Sequence, residues 1–291
     1  MGNVVDYVRR EFRGFGELAF SNVDSLVLSE LSYMRLPGLV PAFGEAKSVA
    51  TVPIRELLRA ESYDEMFVSN SSEMNDYRLS ILRAVCESPR FRGLRVGEYA
   101  ERLDEGEQQQ FAAMTFDLGA DFGLYVAFRG TDGTLVGWKE DFNMAVRCPV
   151  PSQESAYRYA DSILDRTERF LSAKESPGIM LGGHSKGGNL AVYAAAFSAP
   201  AIQERLTKIY NNDGPGFHLE VLGNPGFSVV LGRTSTFVPQ TSVVGMLLEH
   251  EEKYTIVKSS ETGLFQHDLY SWQVMGRELV CLDKVTQSSR F

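Results

Sequence analysis

The stretch Gly178–Pro200 constrains the fold more than any other part of the chain. Its sequence is GIMLGGHSKGGNLAVYAAAFSAP. The short apolar run Ile179–Leu181 is typical of a buried strand, and the glycine-rich residues 182–188 are typical of a tight turn. From Asn189 onward the residues are good helix formers, and Pro200 ends that pattern. We therefore expect a strand, a sharp turn and a helix in immediate succession.

The predicted turn places Ser185 between Gly183 and Gly187, which gives the pattern G-x-S-x-G. Between a strand and a helix, this pattern is the nucleophile elbow of the α/β-hydrolases. The serine sits on strained backbone, and the glycines let the strand and the helix approach closely. The helix directs free N–H groups and the positive end of its dipole at the reacting centre. One alternative is a glycine-rich turn in which the serine has no catalytic role. The other is a phosphate loop, but the lysine of that motif follows its glycines, whereas Lys186 comes before the glycine pair at 187 and 188.

Composition and charge limit the classes of function. The chain has 291 residues, of which 44% are hydrophobic, and a formal net charge of −9, so binding to nucleic acid or to anionic membranes through the overall field is disfavoured. Its three cysteines are far apart and predict neither a disulfide framework nor a zinc site. The first residues do not resemble a signal peptide, and no apolar stretch has the length of a membrane span. We expect a cytoplasmic protein without integral membrane association, metal or organic cofactor.

The first part of the chain is predicted to be mostly helical. We expect residues 1–105 to form a helical extension that packs on an α/β core of residues 106–291, as one continuous domain. Three helical patterns are visible in it. They extend from Asn22 to just before Pro37, from Val52 to Met66, and from Ser71 or Ser72 to just before Pro89. Because this part shows no cluster of catalytic residue types, we expect it to cover the sheet. A lid or a substrate-selecting cap is the alternative.

From Gln110 onward, strand patterns alternate with helical patterns. Phe111–Phe116 and Gly123–Phe128 are predicted to form a hairpin, and a helical pattern follows Pro151 and extends to Leu171. Further strands are predicted at Thr207–Asn211, Ser228–Leu231, Thr234–Phe237, Tyr254–Lys258 and Glu278–Leu282. This order predicts the α/β class: an α/β-hydrolase fold with a mostly parallel central sheet, helices on both faces and an N-terminal helical extension.

A serine nucleophile needs a base, and His267 is the preferred candidate. In this fold the chain order is serine, then acid, then histidine, and His267 lies on a loop beyond the late strand Tyr254–Lys258. His250 precedes that strand in a segment that resembles a solvated turn, and His218 is expected to make local contacts. The alternative for His267 is a buried histidine whose ring is satisfied by backbone groups.

Asp213 is the preferred candidate for the acid that orients the base. It follows the strand Thr207–Asn211, and catalytic groups gather at the carboxyl ends of strands in open α/β sheets. The alternative is a plain turn, in which the carboxylate binds only local backbone. Asp268 adjoins His267 in sequence, which is a poor geometry for orienting that ring. A metal loop built on residues 211–213 is disfavoured, because no further acidic ligands occur nearby.

The oxyanion hole is predicted to consist of the backbone N–H groups of Thr131 and Lys186, with the Thr131 hydroxyl as a further donor. Lys186 places a cation on the first turn of a helix, which costs about 0.3–1 kcal/mol when the residue is exposed. We therefore expect its ammonium to pair with Glu140 or Asp141 and so to connect the two halves of the hole. The alternative is a lysine whose side chain reaches solvent.

Three segments together resemble a known family. Val126–Thr131, Gly137–Asp141 and Gly183–Gly188 are similar to the class 3 (fungal-type) lipase branch of the α/β-hydrolases, and more closely to a bacterial group of lipase-like proteins of unassigned function. The resemblance covers roughly residues 110–275. It implies a nucleophile at Ser185, a base at His267 and an oxyanion donor at Thr131.

The chain departs from that family at two places. Lys186 stands where class 3 lipases usually carry leucine or a similar residue. Their acid usually follows a later strand, near Val238–Ser242, where this chain has no carboxylate. The second departure moves the acid to Asp213 or leaves a dyad of serine and histidine.

The sequence therefore predicts a serine hydrolase that cleaves carboxylic esters through an acyl-enzyme on Ser185, with His267 and Asp213 as base and acid. Its expected partner is a small-molecule ester or a lipid. One alternative is a scaffold or binding protein that keeps the fold without catalysis. The other is a hydrolase of a different acyl bond, such as a thioester or a peptide.

Overall fold

The computed structural model describes residues 1–168 and 178–283, and within them a nine-stranded sheet forms the centre of the protein. Its strands, in spatial order, are β1 Thr51–Pro53, β2 Arg95–Asp104, β3 Gln109–Asp117, β4 Leu124–Phe128, β5 Ile179–His184, β6 Leu206–Asn212, β7 Thr234–Pro239, β8 Tyr254–Val257 and β11 Cys281–Leu282. β9 Val274–Met275 and β10 Glu278–Leu279 form a separate antiparallel pair. Neighbours from β4 to β8 are parallel, whereas β1 to β4 and the pair β8–β11 are antiparallel.

Helices cover both faces of this sheet. They are α1 Val4–Arg10, α2 Asn22–Leu31, α3 Tyr63–Met66, α4 Ser72–Glu87, α5 Leu135–Val146, α6 Pro151–Glu168, α7 Lys186–Phe197, α8 Pro200–Gln203, α9 Leu219–Leu222 and α10 Pro225–Leu231. Successive side chains of a strand point to opposite faces. Along β4, Tyr125 and Ala127 join the core under the N-terminal helices, whereas Val126 and Phe128 join the core under α6, α7 and α10. The predicted α/β class with helices on both faces is thus confirmed.

Two predicted elements are wrong, and a proline explains each. The predicted helix Val52–Met66 is replaced by β1, the 3₁₀ turns Ile54–Leu57 and Ala60–Ser62, and the short α3. Pro53 has no N–H to donate, and it fits the outermost strand of the sheet. The predicted strand Ser228–Leu231 belongs instead to α10, which the Asn224 side chain caps and which begins at Pro225.

Other boundaries also differ from the prediction. The sheet begins before residue 106, because β1 and β2 lie within the expected helical extension. The expected strand Glu278–Leu282 is divided between β10 and β11. The last predicted residues of α6, 169–171, lie outside the described residues. No helix in residues 1–168 and 178–283 has the length and apolar character needed to cross a bilayer.

Candidate active site

Ser185 lies on a strained turn between β5 and α7, as the glycine pattern predicted. Its φ of 57° and ψ of −133° fall in a region that side chains other than glycine rarely adopt. A Cβ on Gly183 would lie 2.4 Å from the carbonyl carbon of Gly187, and a Cβ on Gly187 would lie 2.1 Å from the backbone oxygen of Phe128. Both positions therefore require glycine, and the predicted strand–turn–helix is confirmed.

The structure brings His267 and Asp213 into direct contact. His267 ends a 3₁₀ turn, Gly263–His267, and its Nδ1 lies 2.7 Å from Oδ2 of Asp213. Asp213 follows β6 and is fully buried, and its other oxygen accepts a short hydrogen bond from the Ser242 hydroxyl. Ser242 stands in the segment where class 3 lipases usually carry their acid. A carboxylate held on both oxygens is suited to fixing the imidazole in one orientation.

Ser185 and His267 line the same cavity, which has a volume of about 520 Å³. Its apolar wall is formed by Trp138, Phe142, Met144, Val244, Leu247, Leu248 and Leu269. No hydrogen bond joins Ser185 Oγ to His267 within the described residues, and such contacts often form only when substrate binds.

The two other candidate histidines do not line the cavity that contains Ser185. His218 Nε2 is 2.8 Å from the backbone oxygen of Met144, which is 74 residues away in the sequence, so the expectation of local contacts is wrong. His250 Nδ1 lies 3.0 Å from Glu252, and the side chains of this pair are 8% and 2% exposed. The interpretation of this segment as a solvated turn is therefore wrong.

The residues expected to form the oxyanion hole offer backbone donors. The N–H groups of Thr131 and Lys186 have no hydrogen-bond partner among the described residues. The Thr131 hydroxyl is not available for this role, because it donates to the Asp141 carboxylate at 2.7 and 2.9 Å. Burial raises the pKa of Asp141, and the Lys186 ammonium acts in the opposite direction. The hole can therefore use the two N–H groups alone.

The Lys186 side chain is buried in a polar network, as its place at the helix start led us to expect. Its Nζ donates to the backbone oxygen of Gln110, to Gln110 Oε1 and to Glu140 Oε2, each at 2.9 Å. Asp141 is 4.0 Å away. Glu140 is fully buried and also accepts from the Ser152 hydroxyl at 2.8 Å. The expected pairing with Glu140 is confirmed, and a solvated lysine is excluded.

His184 holds the backbone of His267, and Tyr33 in turn holds His184; no sequence pattern pointed to either residue. His184 Nε2 lies 2.7 Å from the backbone oxygen of His267, and its Nδ1 lies 2.9 Å from the Tyr33 hydroxyl. Burial and the adjacent His267 ring lower the pKa of His184 well below its usual range, so its ring is neutral. A carbonyl only accepts, so Nε2 carries the hydrogen and Nδ1 accepts from Tyr33.

The site as described holds the side chains for acyl transfer and no evident metal centre. Within residues 1–168 and 178–283, no group of three or more His, Cys, Asp or Glu side chains is placed to share a metal ion. A serine on a strained turn, an imidazole held by a buried carboxylate and two unpaired N–H groups are the parts that acyl transfer requires.

Comparisons with known proteins agree with this architecture. The chain is similar to a solved structure described as "Crystal structure of M37 lipase", with a TM-score of 0.50 and 12% sequence identity, over 78% of this chain and 69% of that chain. At this identity the likeness shows the fold, a lipase-like α/β-hydrolase fold. No curated protein matches the sequence. A model of the family described as Mbeg1-like matches residues 85–291, which is most of the chain, and the protein therefore belongs to the Mbeg1-like family.

Proposed function

We propose that the protein is a serine hydrolase that cleaves carboxylic esters through an acyl-enzyme intermediate. The observation that carries the proposal is the 2.7 Å contact between His267 Nδ1 and Asp213, with Ser185 on its strained turn in the same cavity. His267 and Asp213 were predicted from their order in the chain after Ser185. Two residues without a shared role would not be expected to make this contact.

The reaction follows from the positions of these groups. Ser185 Oγ attacks the acyl carbon while His267 Nε2 accepts its proton, and Asp213 stabilises the imidazolium that forms. The N–H groups of Thr131 and Lys186 donate to the developing oxyanion. His267 then gives the proton to the leaving alcohol oxygen as the bond from carbon to oxygen breaks. A water molecule attacks the acyl-enzyme by the same route and releases the acid and free Ser185.

The apolar wall of the cavity supports an ester whose acid half is apolar, as in a lipid or a simple fatty ester. The resemblance of three sequence segments supports a position in the class 3 lipase-like branch of the α/β-hydrolases, near its bacterial lipase-like group. We further propose a cytoplasmic location and a small-molecule ester or lipid as substrate. Residues 1–105 and 106–291 act together as one continuous domain.

Labelling with a fluorophosphonate probe tests the proposal. The probe should modify Ser185 and no other serine, because only an activated hydroxyl reacts rapidly. Mass spectrometry of the digested protein locates the adduct. The Ser185→Ala variant should not be labelled, and Asp213→Asn, which keeps the serine but not the charge that orients His267, should be labelled much more slowly.

Two outcomes contradict this mechanism, the first the hydrolase itself and the second the role of Asp213. One is the absence of any adduct on folded wild-type protein, which would favour a binding protein that keeps the fold. The other is equal labelling of wild type and Asp213→Asn, which would mean that the carboxylate does not activate the serine.

A further inference from the structure

A second cavity, of about 470 Å³, adjoins the one that contains Ser185. The residues that line both cavities are Tyr33, Met74, Arg78, Thr131, Gly133 and Asp268. Thr131 belongs to the proposed oxyanion hole, and Asp268 directly follows His267. The second cavity therefore borders the reacting centre between the oxyanion turn and the base, where the leaving half of an ester must receive its proton.

The outer wall of this cavity comes from the N-terminal region, and in it polar side chains lie beside Val68 and Met74. Ser69, Asn70, Ser71 and Glu73 line it around the start of α4. Asn70 reaches the oxyanion loop, since a Cβ on Gly133 would lie only 3.2 Å from its Nδ2. The polar wall contrasts with the apolar wall of the first cavity, so the two cavities suit chemically different halves of one substrate.

The guanidinium groups around the second cavity are paired with carboxylates. Arg35 and Arg129 both bind Glu101, at 3.0 and 2.7 Å, and Arg78 binds Glu30 at 3.0 Å. These guanidinium groups are already held by carboxylates, so an anionic group such as a phosphate would have to displace them. The carboxylates of Glu73 and Asp268 also line the cavity, and they too disfavour an anionic group.

The groups that remain suit hydroxyls. Within the described residues, the side chains of Asn70, Glu73 and Asp268 have no hydrogen-bond partner. An amide both donates and accepts and a carboxylate accepts, which matches hydroxyls that do both. Burial raises the pKa of Asp268, and the nearby His267 acts in the opposite direction. The rings of Tyr77 and Tyr270, whose centroids are 5.1 Å apart and whose planes are inclined by 56°, add aromatic surface for the C–H face of a sugar ring.

We propose that the second cavity binds the alcohol half of the ester and selects a polyhydroxyl, sugar-like alcohol. This inference rests on the proposed function, because it assigns the substrate of the same site. The N-terminal region then takes part in substrate selection, beyond covering the sheet.

Three octanoyl esters that differ only in the alcohol test the assignment: 6-O-octanoylglucose, hexyl octanoate and octanoylcholine, below the concentration at which micelles form. For wild type, kcat/KM should be at least tenfold higher for the glucose ester than for the other two. The variant Asn70→Ala/Glu73→Ala should lower kcat/KM for the glucose ester about tenfold, by the loss of two hydrogen bonds. It should change hexyl octanoate by less than twofold.

Asp76→Ala is the matched control, because Asp76 is an exposed carboxylate on α4 that does not line the cavity. It should leave both rates unchanged. Equal or higher kcat/KM for the hexyl or choline ester in wild type would overturn the assignment, and so would an equal loss on all three esters in the double variant. If the wild type hydrolyses the esters but does not prefer the glucose ester, only the assignment of the second cavity is refuted. No hydrolysis of any ester, with Ser185 unlabelled, refutes the proposed function as well.

Discussion

The buried pair of Lys186 and Glu140 allows a quantitative prediction of stability. The Lys186 side chain is 2% exposed and that of Glu140 is 0% exposed. In Lys186→Met the side chain keeps its length but loses the ammonium group. Glu140 then becomes a buried charge with no compensating cation. Removing one partner of such a pair costs about 3–5 kcal/mol. That is a large part of a total stability on the order of 5–15 kcal/mol.

The second partner gives the control. Glu140→Gln leaves the ammonium with its two Gln110 contacts and should also destabilise the protein. The double variant Lys186→Met/Glu140→Gln removes both charges, and we expect its loss to be smaller than the sum of the single losses by about 1–3 kcal/mol. Equilibrium unfolding in urea, followed by the fluorescence of fully buried Trp272, measures these differences. Losses that add to within about 0.5 kcal/mol would refute the coupling.

The same pair should also affect turnover. Lys186 carries one proposed oxyanion donor, and Glu140 precedes Asp141, which binds the hydroxyl of Thr131. The network thus joins both halves of the hole. Lys186→Leu, assayed well below its unfolding temperature, should lower kcat more than it changes KM. An unchanged kcat would contradict the positioning role.

Two further outcomes follow from other contacts. Tyr33→Phe removes the hydroxyl that donates to His184 Nδ1. In steady-state kinetics on one ester, this variant should lower kcat several-fold with little change in KM. An effect on KM alone would contradict a role in positioning His267. Burial opposes ionisation of Glu101, yet hydrogen bonds from Arg35 and Arg129 hold its pKa below its usual value. Its contribution to stability is therefore present above the unfolded pKa, about 4.3, and is lost as the pH falls through the lower folded pKa. Glu101→Gln should flatten the decline of unfolding free energy below about pH 4.3, and an unchanged slope would refute this.

The nucleophile elbow was predictable because all of its determinants are local. The glycines, the apolar run and the helix formers lie within one short stretch, and the backbone geometry of Ser185 follows from them. Asp213 and His267 could be predicted as candidates from chain order alone, because parallel strands present their following loops at one edge of the sheet. Their contact at 2.7 Å required the structure.

The incorrect elements had patterns that fit two structures. Ile54 and Leu57 are both buried, and their spacing suits a 3₁₀ turn as well as an α-helix. The apolar run of residues 229–231 suggested a strand, but in α10 Phe227 and Val230 are buried on one face and Val229 is exposed. In both segments a proline favours the observed structure, because it has no N–H group to donate and its φ angle is fixed. Counting the spacing of apolar residues gives these two properties of Pro53 and Pro225 too little weight.

The contacts that could not be predicted join the N-terminal region to the site. Tyr33 and His184 are separated by 151 residues, and their hydrogen bond depends on how α2 packs across β4, β5 and β6. The spacing of residues within one segment does not predict how two distant segments pack. Buried polar contacts, Ser25 with Tyr125 at 2.9 Å among them, fix that position of α2.

This packing means that the part of the chain matched by the family model, residues 85–291, does not contain the whole site. Without the preceding residues, Nδ1 of His184 would lose its hydrogen-bond donor, and the polar wall of the second cavity would be absent. The face of the sheet under α2, including Tyr125 and Met180, would also be exposed to water. The N-terminal helices therefore stabilise the sheet, and Tyr33, just after α2, holds the proposed base in place through His184. We expect that a substitution in α2 can change the proposed catalysis without touching any residue that contacts the substrate.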